Sequence, residues 1–318
     1  MNLKTYIVEE VDSGSRIDQY LASKIPNLSR RKIRTILDIG GCYVNNKRVH
    51  IASRKVNGGD KVRVEYSEAA LSTVKQKKFL LQTSDIVFNE LNLIAINKPP
   101  GLPSQATRDQ DVMHAEISLR NWIKESNLKI ESLILVHRLD KETSGVLLFA
   151  TTSNVATWVT DQFKQRTTKK EYLALCYGIP KEKTFEVDCH LSDIDNKSGK
   201  VSIVRSGGKQ SKTSFQLIAL HKEKNISLIH CFPETGRSHQ IRVHLESLGL
   251  PILGDKKYGA RNLHLLEPAI ADIASRHHML HARSLQVSPN PIDKPVLIRA
   301  IPPESFLNIC QQLNFTLP

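Results

Sequence analysis

The hydrophobic periodicity of this chain changes character once, across a stretch from Ser67 to Ser84 that carries Lys75, Lys77 and Lys78 and has no strong period of its own. Ahead of it lie helix-spaced apolar residues and a short hairpin. Beyond it lie many strand-length apolar runs with few helices between them. One hydrophobic layer does not serve both patterns, so the chain must divide. The expected boundaries are a small α/β unit over 14–75, a linker over 76–84 and a large unit over 85–318. A length of 318 residues agrees, at roughly one domain per ~150 residues.

In the first unit, Ser15 to Lys24 reads as a short helix with Ile17, Tyr20 and Leu21 on one stripe, closed by Pro26. Ser29 can cap a second helix in which Ile33, Ile36 and Leu37 repeat at i, i+3, i+4, with Gly40-Gly41 as the stop. This leaves Arg30, Arg31 and Arg34 mostly off the apolar stripe and free to meet phosphates. Tyr43-Val44 and Val49 flank a turn at Asn45-Asn46-Lys47, and Val62, Val64 and Tyr66 alternate with Lys61, Arg63 and Glu65 as a half-buried strand.

The charge is unevenly placed. Residues 1–84 hold 16 basic and 8 acidic side chains, and Ser29 to Arg63 alone holds ten basic ones, Lys47 and Arg48 among them, against Asp38 and Asp60. Such a local excess, in a chain of net charge +13, points to a polyanionic partner, because phosphate neutralisation drives much of nucleic-acid binding; a merely solvated basic face is the alternative. No apolar run approaches the ~18 residues of a spanning helix, so membrane insertion is not expected. The five cysteines are scattered and never closer than 13 residues, which suggests neither a disulfide framework nor a metal knuckle, and fits a reducing cytoplasm.

The second unit reads as α+β, with a mixed, largely antiparallel central sheet flanked by helices. Strands fit Asp85 to Phe88, Leu93 to Asn97, Leu133 to Val136, Val146 to Ala150, Glu171 to Tyr177, Thr184 to His190, Ser214 to Leu220, Ile226 to Phe232, Leu280 to Val287 and Val296 to Ala300. Helices fit Thr152 to Arg166, Ser238 to Leu248 and Ser305 to Leu313. Between two apolar strands lies the polar loop His137-Arg138-Leu139-Asp140-Lys141-Glu142-Thr143-Ser144-Gly145, the kind of place where reactive groups sit. Arg138 and Asp140 are either a structural ion pair or part of a site. A second cluster, Glu234 to His244, sets Arg237 and Arg242 across a strand-to-helix junction; either an arginine here keeps Asp140 ionised, as a nucleophile requires, or Arg242 and His244 lie on a solvated helix face.

The loop His137 to Gly145 resembles the H-R-L-D-x-x-T-S-G signature of the RluA-type pseudouridine synthases at every fixed position. Leu93 to Gln105 is similar to the family's N-K-P-x-G-x-P segment, Lys170 to Ala174 to its K-x-Y-x-A strand, and Leu280-His281-Ala282 to its L-H-A strand. Thr235 to His244, with Gly254-Asp255 and Tyr258-Gly259 following, completes the order. Ser15 to Tyr66 resembles the S4-type RNA-binding domain. Two segments depart from the familiar pattern: Ser104-Gln105-Ala106 in place of Val-His-Pro, and Ser288 to Pro291 in place of His-Pro.

The resemblance implies conversion of uridine to pseudouridine without cofactor or metal. It implies Asp140 as the catalytic carboxylate, Tyr172 as the ring that stacks on the extruded uracil, and Arg242 as the partner of Asp140. Arg138 would fill the gap left by the base or hold phosphate. Arg237, His239, Arg30, Arg31, Arg34, Lys47 and Arg48 would contact RNA, and His137 would be framework. The implied partner is 23S ribosomal RNA or a pre-ribosomal particle, with the protein acting as a monomer. Transfer RNA, alone or as a second substrate, is the nearer alternative, and a non-catalytic RNA-binding or ribosome-assembly protein the more distant one.

Overall fold

Two units, Met1–Lys78 and Phe79–Pro318, each fold around a core of their own. The computed structural model describes residues 2–67, 79–106, 113–259 and 264–318. Lys75, Lys77 and Lys78, with residues 76–78 of the expected linker, lie outside the described residues.

In the first unit, helices α1 (Ile17–Lys24) and α2 (Arg30–Asp38) accompany strands β1 (Asn2–Ile7), β2 (Cys42–Val44), β3 (Lys47–Arg48) and β4 (Lys61–Tyr66), in the sheet order β1-β4-β2-β3. Ile33, Ile36 and Leu37 fall on one side of α2 and are wholly buried with Ile17, Tyr20 and Leu21. The Ser29 hydroxyl accepts from the Lys32 N–H, capping α2 as its sequence suggests. Asn45 and Asn46 both take positive φ, 49° and 62°, the signature of a tight two-residue hairpin turn. Strand β1 is an addition ahead of residue 14. It pairs antiparallel with β4, and its mostly exposed residues give no alternation to read from sequence.

The second unit is built on an eleven-stranded sheet. Its strands are β5 (Ile86–Glu90), β6 (Leu93–Lys98), β7 (Ile134–Leu135), β8 (Ser144–Ala150), β9 (Lys169–Tyr177), β10 (Thr184–Leu191), β11 (Ile203–Val204), β12 (Lys209–His221), β13 (Ile226–Pro233), β14 (Leu280–Val287) and β15 (Val296–Arg299). They run in the order β11-β10-β12-β13-β9-β14-β8-β6-β5, with β15 beside β14 and β7 beside β8. Every recorded pairing is antiparallel except β14 with β8. Helices α3 (Ala115–Glu125), α4 (Ser153–Gln165), α5 (Gln240–Ser247), α6 (Pro268–Arg276) and α7 (Glu304–Gln312) cover it. The sequence reading lacked α3 and α6. Among the described residues no helix is long and apolar enough to cross a membrane.

The register decides what meets at the centre. Lys98 on β6 stands opposite Gly145 on β8, Gly145 opposite Ala282 on β14, and Ala282 opposite Tyr172 on β9. One row of the sheet therefore carries the end of the 137–145 loop to the tyrosine strand. Gly145 is required there: its φ is +112°, and a Cβ would lie 2.1 Å from the Ala282 carbonyl oxygen.

Candidate active site

The loop between β7 and β8 is tied down on several sides. Ser104, buried, donates its hydroxyl hydrogen to the Leu139 carbonyl at 2.8 Å and accepts the Leu139 N–H at 3.0 Å, fixing the residue just before Asp140. Lys98, also buried, donates to the carbonyls of Pro99, Leu102 and Lys141 at 2.9–3.0 Å. Burial pulls its ammonium down to about 7, against the pull of Glu142 and Asp140. The Thr143 hydroxyl meets His278 Nε2 at 2.8 Å. His281 Nε2–H donates to the Ala300 carbonyl at 3.0 Å, so its Nδ1 accepts from the Ser144 hydroxyl at 2.9 Å. His137 Nε2 accepts the Leu148 N–H and its ring stacks on Phe163 at 5.0 Å, a framework arrangement.

Asp140 emerges from this frame beside Arg242, whose Nη1 donates to Asp140 Oδ2 at 2.8 Å. Arg242 is buried, as is His244, so neither lies on a solvated helix face. The other edge of the guanidinium is held by Asp255: Nε to Oδ2 at 2.6 Å and Nη2 to Oδ1 at 2.9 Å. Burial pushes the Asp140 carboxyl up, but Arg242, then His239, more than offset it and hold it below the ordinary carboxylate range. Asp255 is held down in the same sense by its hydrogen bonds from Arg242, against burial. Arg242, between two carboxylates, is raised despite burial.

His239 takes the left-handed conformation, φ 55°, at the start of α5. Its Nδ1 meets the Tyr258 hydroxyl at 2.9 Å, and its Nε2 lies 4.0 Å from Asp140. The Tyr258 ring lies under the Arg242 guanidinium at 5.0 Å. Gln240 folds the preceding loop back by accepting from the Thr235 hydroxyl and the Arg237 N–H.

These groups open on a cleft of about 930 Å³. Among the described residues, Arg138, Lys141, Lys164, Arg166, Lys170, Arg237 and Arg242 line it, together with Tyr172, against a single carboxylate, that of Asp140. Such a wall selects a polyanion and directs its reactive centre at one point. Of the residues expected from sequence, Arg138, Asp140, Tyr172, Arg237, His239 and Arg242 come together here. Arg30, Arg31, Arg34, Lys47 and Arg48 belong to the other unit. Arg30 and Arg34 are not free, as their place off the apolar stripe suggested, because both are bonded to Asp18. Arg48 bonds the Tyr43 hydroxyl at 2.9 Å. The sequence reading assigned no role to Lys98, Asp255, Tyr258, Lys164, Arg166 or His278. Lys98, Asp255 and Tyr258 carried a signal, as part of the quoted motifs.

One ionised carboxylate among seven basic side chains of the described lining, on a mixed sheet with a small basic unit ahead of it in the chain, fits an enzyme that acts on a nucleic acid. Comparison with known proteins supplies the family. Residues 92–247 match the RNA pseudouridylate synthase family and residues 15–62 the S4 domain. The chain is 32% identical over 304 residues to ribosomal large subunit pseudouridine synthase C of Rickettsia felis, across 90% of this chain and 93% of that one. It is 31% identical over 306 residues to ribosomal large subunit pseudouridine synthase D of Nitrosomonas europaea, across 91% and 85%. Among solved structures, human RNA pseudouridylate synthase domain containing 4 is similar with a TM-score of 0.60 at 28% identity, over 74% of this chain and 95% of that one. The chain belongs to the RNA pseudouridylate synthase family: it is an RNA pseudouridine synthase, an isomerase, carrying an S4 domain.

Proposed function

We propose that this enzyme isomerises uridines of 23S ribosomal RNA in the cytoplasm, with Asp140 as its nucleophilic carboxylate. The observation that carries the reading is the Asp140–Arg242 pair at 2.8 Å inside a cleft whose other charged side chains, among the described residues, are basic. The names of the two bacterial relatives support the ribosomal substrate. Five free thiols, four of them buried, suit a reducing compartment.

The reaction breaks the bond from N1 to C1′, turns the base, joins C5 to C1′ and exchanges a proton at C5 for one at N1. Atoms are conserved, and one carboxylate that stays ionised suffices. A uridine must leave its stack to reach Asp140, at a cost of a few kcal/mol, which stacking on Tyr172 offsets by about 1–3 kcal/mol. The Tyr172 phenol is raised by burial and then by Asp140, so it keeps its proton and serves as a stacking face and donor, not as a phenolate base. Arg138, exposed at the rim beside Asp140, contacts the strand from which the base departs.

The test is Asp140→Asn. Pseudouridine formation should vanish while RNA affinity stays nearly unchanged; retained turnover would remove Asp140 from the nucleophile role. Mapping pseudouridines in total RNA from a strain lacking the gene, with and without complementation, tests the substrate. Loss from transfer RNA alone would replace the ribosomal reading.

A further inference from the structure

In the S4 unit a single buried carboxylate gathers three arginines. Asp18, in the first turn of α1, has a side chain with 0% exposure, yet receives five guanidinium hydrogen bonds. Arg16 gives Nε to Oδ1 at 3.0 Å and Nη2 to Oδ2 at 3.3 Å. Arg30 gives Nη2 to Oδ2 at 3.0 Å, and Arg34 gives Nε and Nη2 to the same oxygen at 3.1 and 3.0 Å. The three cationic side chains remain 40%, 45% and 48% exposed. Burial acts to raise the Asp18 carboxyl, but the three arginines hold it down at about 2, so it is ionised at any physiological pH.

One arginine would neutralise this carboxylate. Three leave an excess of two positive charges within a few ångströms, where they repel one another, and each guanidinium still has N–H groups beyond those bonded to Asp18. Two of the arginines stand one turn apart on α2 and the third just precedes α1, so the array is fixed by both helices. A rigid group of exposed, mutually repelling guanidiniums is stabilised by a further anion, and planar N–H forks match phosphate oxygens.

We propose that Arg16, Arg30 and Arg34, preorganised by the buried carboxylate of Asp18, form the seat for one backbone phosphate of the RNA substrate. The proposal rests on the RNA reading given above and deepens it. Asp18 is a positioning residue: it reaches the phosphate only through the arginines.

The idea makes a prediction opposite in sign to simple charge counting. Asp18→Asn removes a negative charge from a basic surface, and a surface acting by net charge alone would then bind RNA more tightly. A preorganised seat binds it about tenfold more weakly, because rotamer-rich side chains must be ordered at the moment of binding. The slope of log affinity against log salt should also fall by about one, the loss of one phosphate contact. The experiment uses the full-length enzyme and a transcribed segment of 23S ribosomal RNA that it modifies, with binding measured from 50 to 300 mM salt, about the range in which such slopes are read. KM for that RNA should rise while kcat at saturation is unchanged. Circular dichroism and thermal melting check that the variant is folded. If it is not, Arg16→Gln takes its place, with the same loss of slope, and Arg16→Lys should not restore it. Affinity and slope unchanged or increased in Asp18→Asn or Arg16→Gln would overturn the seat, leaving it a staple between helices. Saturable binding of inorganic phosphate, abolished in Asp18→Asn while RNA affinity and salt slope stay at wild-type values, would mark a free-anion site and overturn the RNA assignment. A wild-type enzyme that neither binds nor modifies the RNA would instead reject the ribosomal reading itself.

Discussion

Asp255 makes no contact with the cleft, yet its replacement by asparagine should be among the most damaging single changes near the site. Its Oδ2 accepts Arg242 Nε at 2.6 Å; its Oδ1 accepts Arg242 Nη2 at 2.9 Å and the N–H groups of Lys257 and Tyr258 at 3.0 and 3.1 Å. An amide has one acceptor oxygen, so in either orientation its NH2 group faces donors: Arg242 Nε–H in one, the Nη2 and two backbone N–H groups in the other. Breaking a buried pair from one side costs about 3–5 kcal/mol, and the lower figure applies because Arg242 keeps Asp140. For a domain of this size that is a fall of roughly 6–12 °C in melting temperature. The guanidinium, no longer held on its far edge, shifts against Asp140, and a misplacement on the order of 1 Å costs about 100-fold in rate. Because the C5 hydrogen leaves as a proton, release of tritium from RNA labelled at uridine C5 reports kcat directly, at a temperature where circular dichroism shows the variant folded. RNA affinity should stay within about twofold, since the cationic lining is intact. A variant that melts within about 2 °C of wild type and turns over at the wild-type rate would refute the account of Asp255 as the holder of Arg242.

Three further outcomes are expected. His137, His244, His278 and His281 are pulled down by burial to about 3, 4, 3 and 4; each is protonated in the unfolded chain below pH ~6.5 but not in the folded one. Stability is therefore whole above that pH and falls toward pH 4, by up to about 1.4 kcal/mol per pH unit for each histidine, so the urea midpoint should drop across this window and drop less in His278→Gln; a flat profile would contradict neutral burial. Lys98 acts in the alkaline range: with a folded value of about 7 and an unfolded one near ~10.4, the unfolded chain holds the extra proton, so the stability of wild type relative to Lys98→Met should rise from pH 7 to 10. A constant difference would mean that the ammonium is not buried. Removing residues 1–78 should weaken RNA binding and flatten its salt dependence while the remaining unit stays folded; an unchanged slope would exclude the S4 unit from docking.

What could be read from the sequence followed its periodicities and its contiguous motifs. The stripe Ile33, Ile36, Leu37 and the apolar runs around the 137–145 loop are local signals, and they gave α2, β8 and the loop between strands. Contacts between distant segments have no local signal. Arg30 and Arg34 look free because the acidic residue on their own helix, Asp38, stands only at its last position; the partner they take, Asp18, sits on another helix. Lys98 reads as the polar end of a strand before two prolines, and only the fold turns its ammonium inward onto three carbonyls. Helix α6 does carry a local signal, Pro268 at its first turn and Ile270, Ile273 and Ala274 at i, i+3, i+4, but the stripe is short and only Ile270 and Ala274 are fully buried.

The arrangement of Arg242 resolves a conflict inherent in carboxylate chemistry. For the nucleophilic role proposed for Asp140, a half-buried carboxylate needs a cation, or burial would protonate it; a cation bonded to it alone would quench its reactivity. Here the guanidinium gives two hydrogen bonds to Asp255 and one to Asp140, and reaches Asp140 only through Oδ2. The charge that keeps Asp140 ionised is thus anchored elsewhere, and Tyr258 beneath the guanidinium limits its tilt. The same sharing explains why the loop needs so many ties. With only one bond from Arg242, the aim of Asp140 depends on its backbone, which Ser104 fixes at Leu139 on one side and Lys98 fixes at Lys141 on the other.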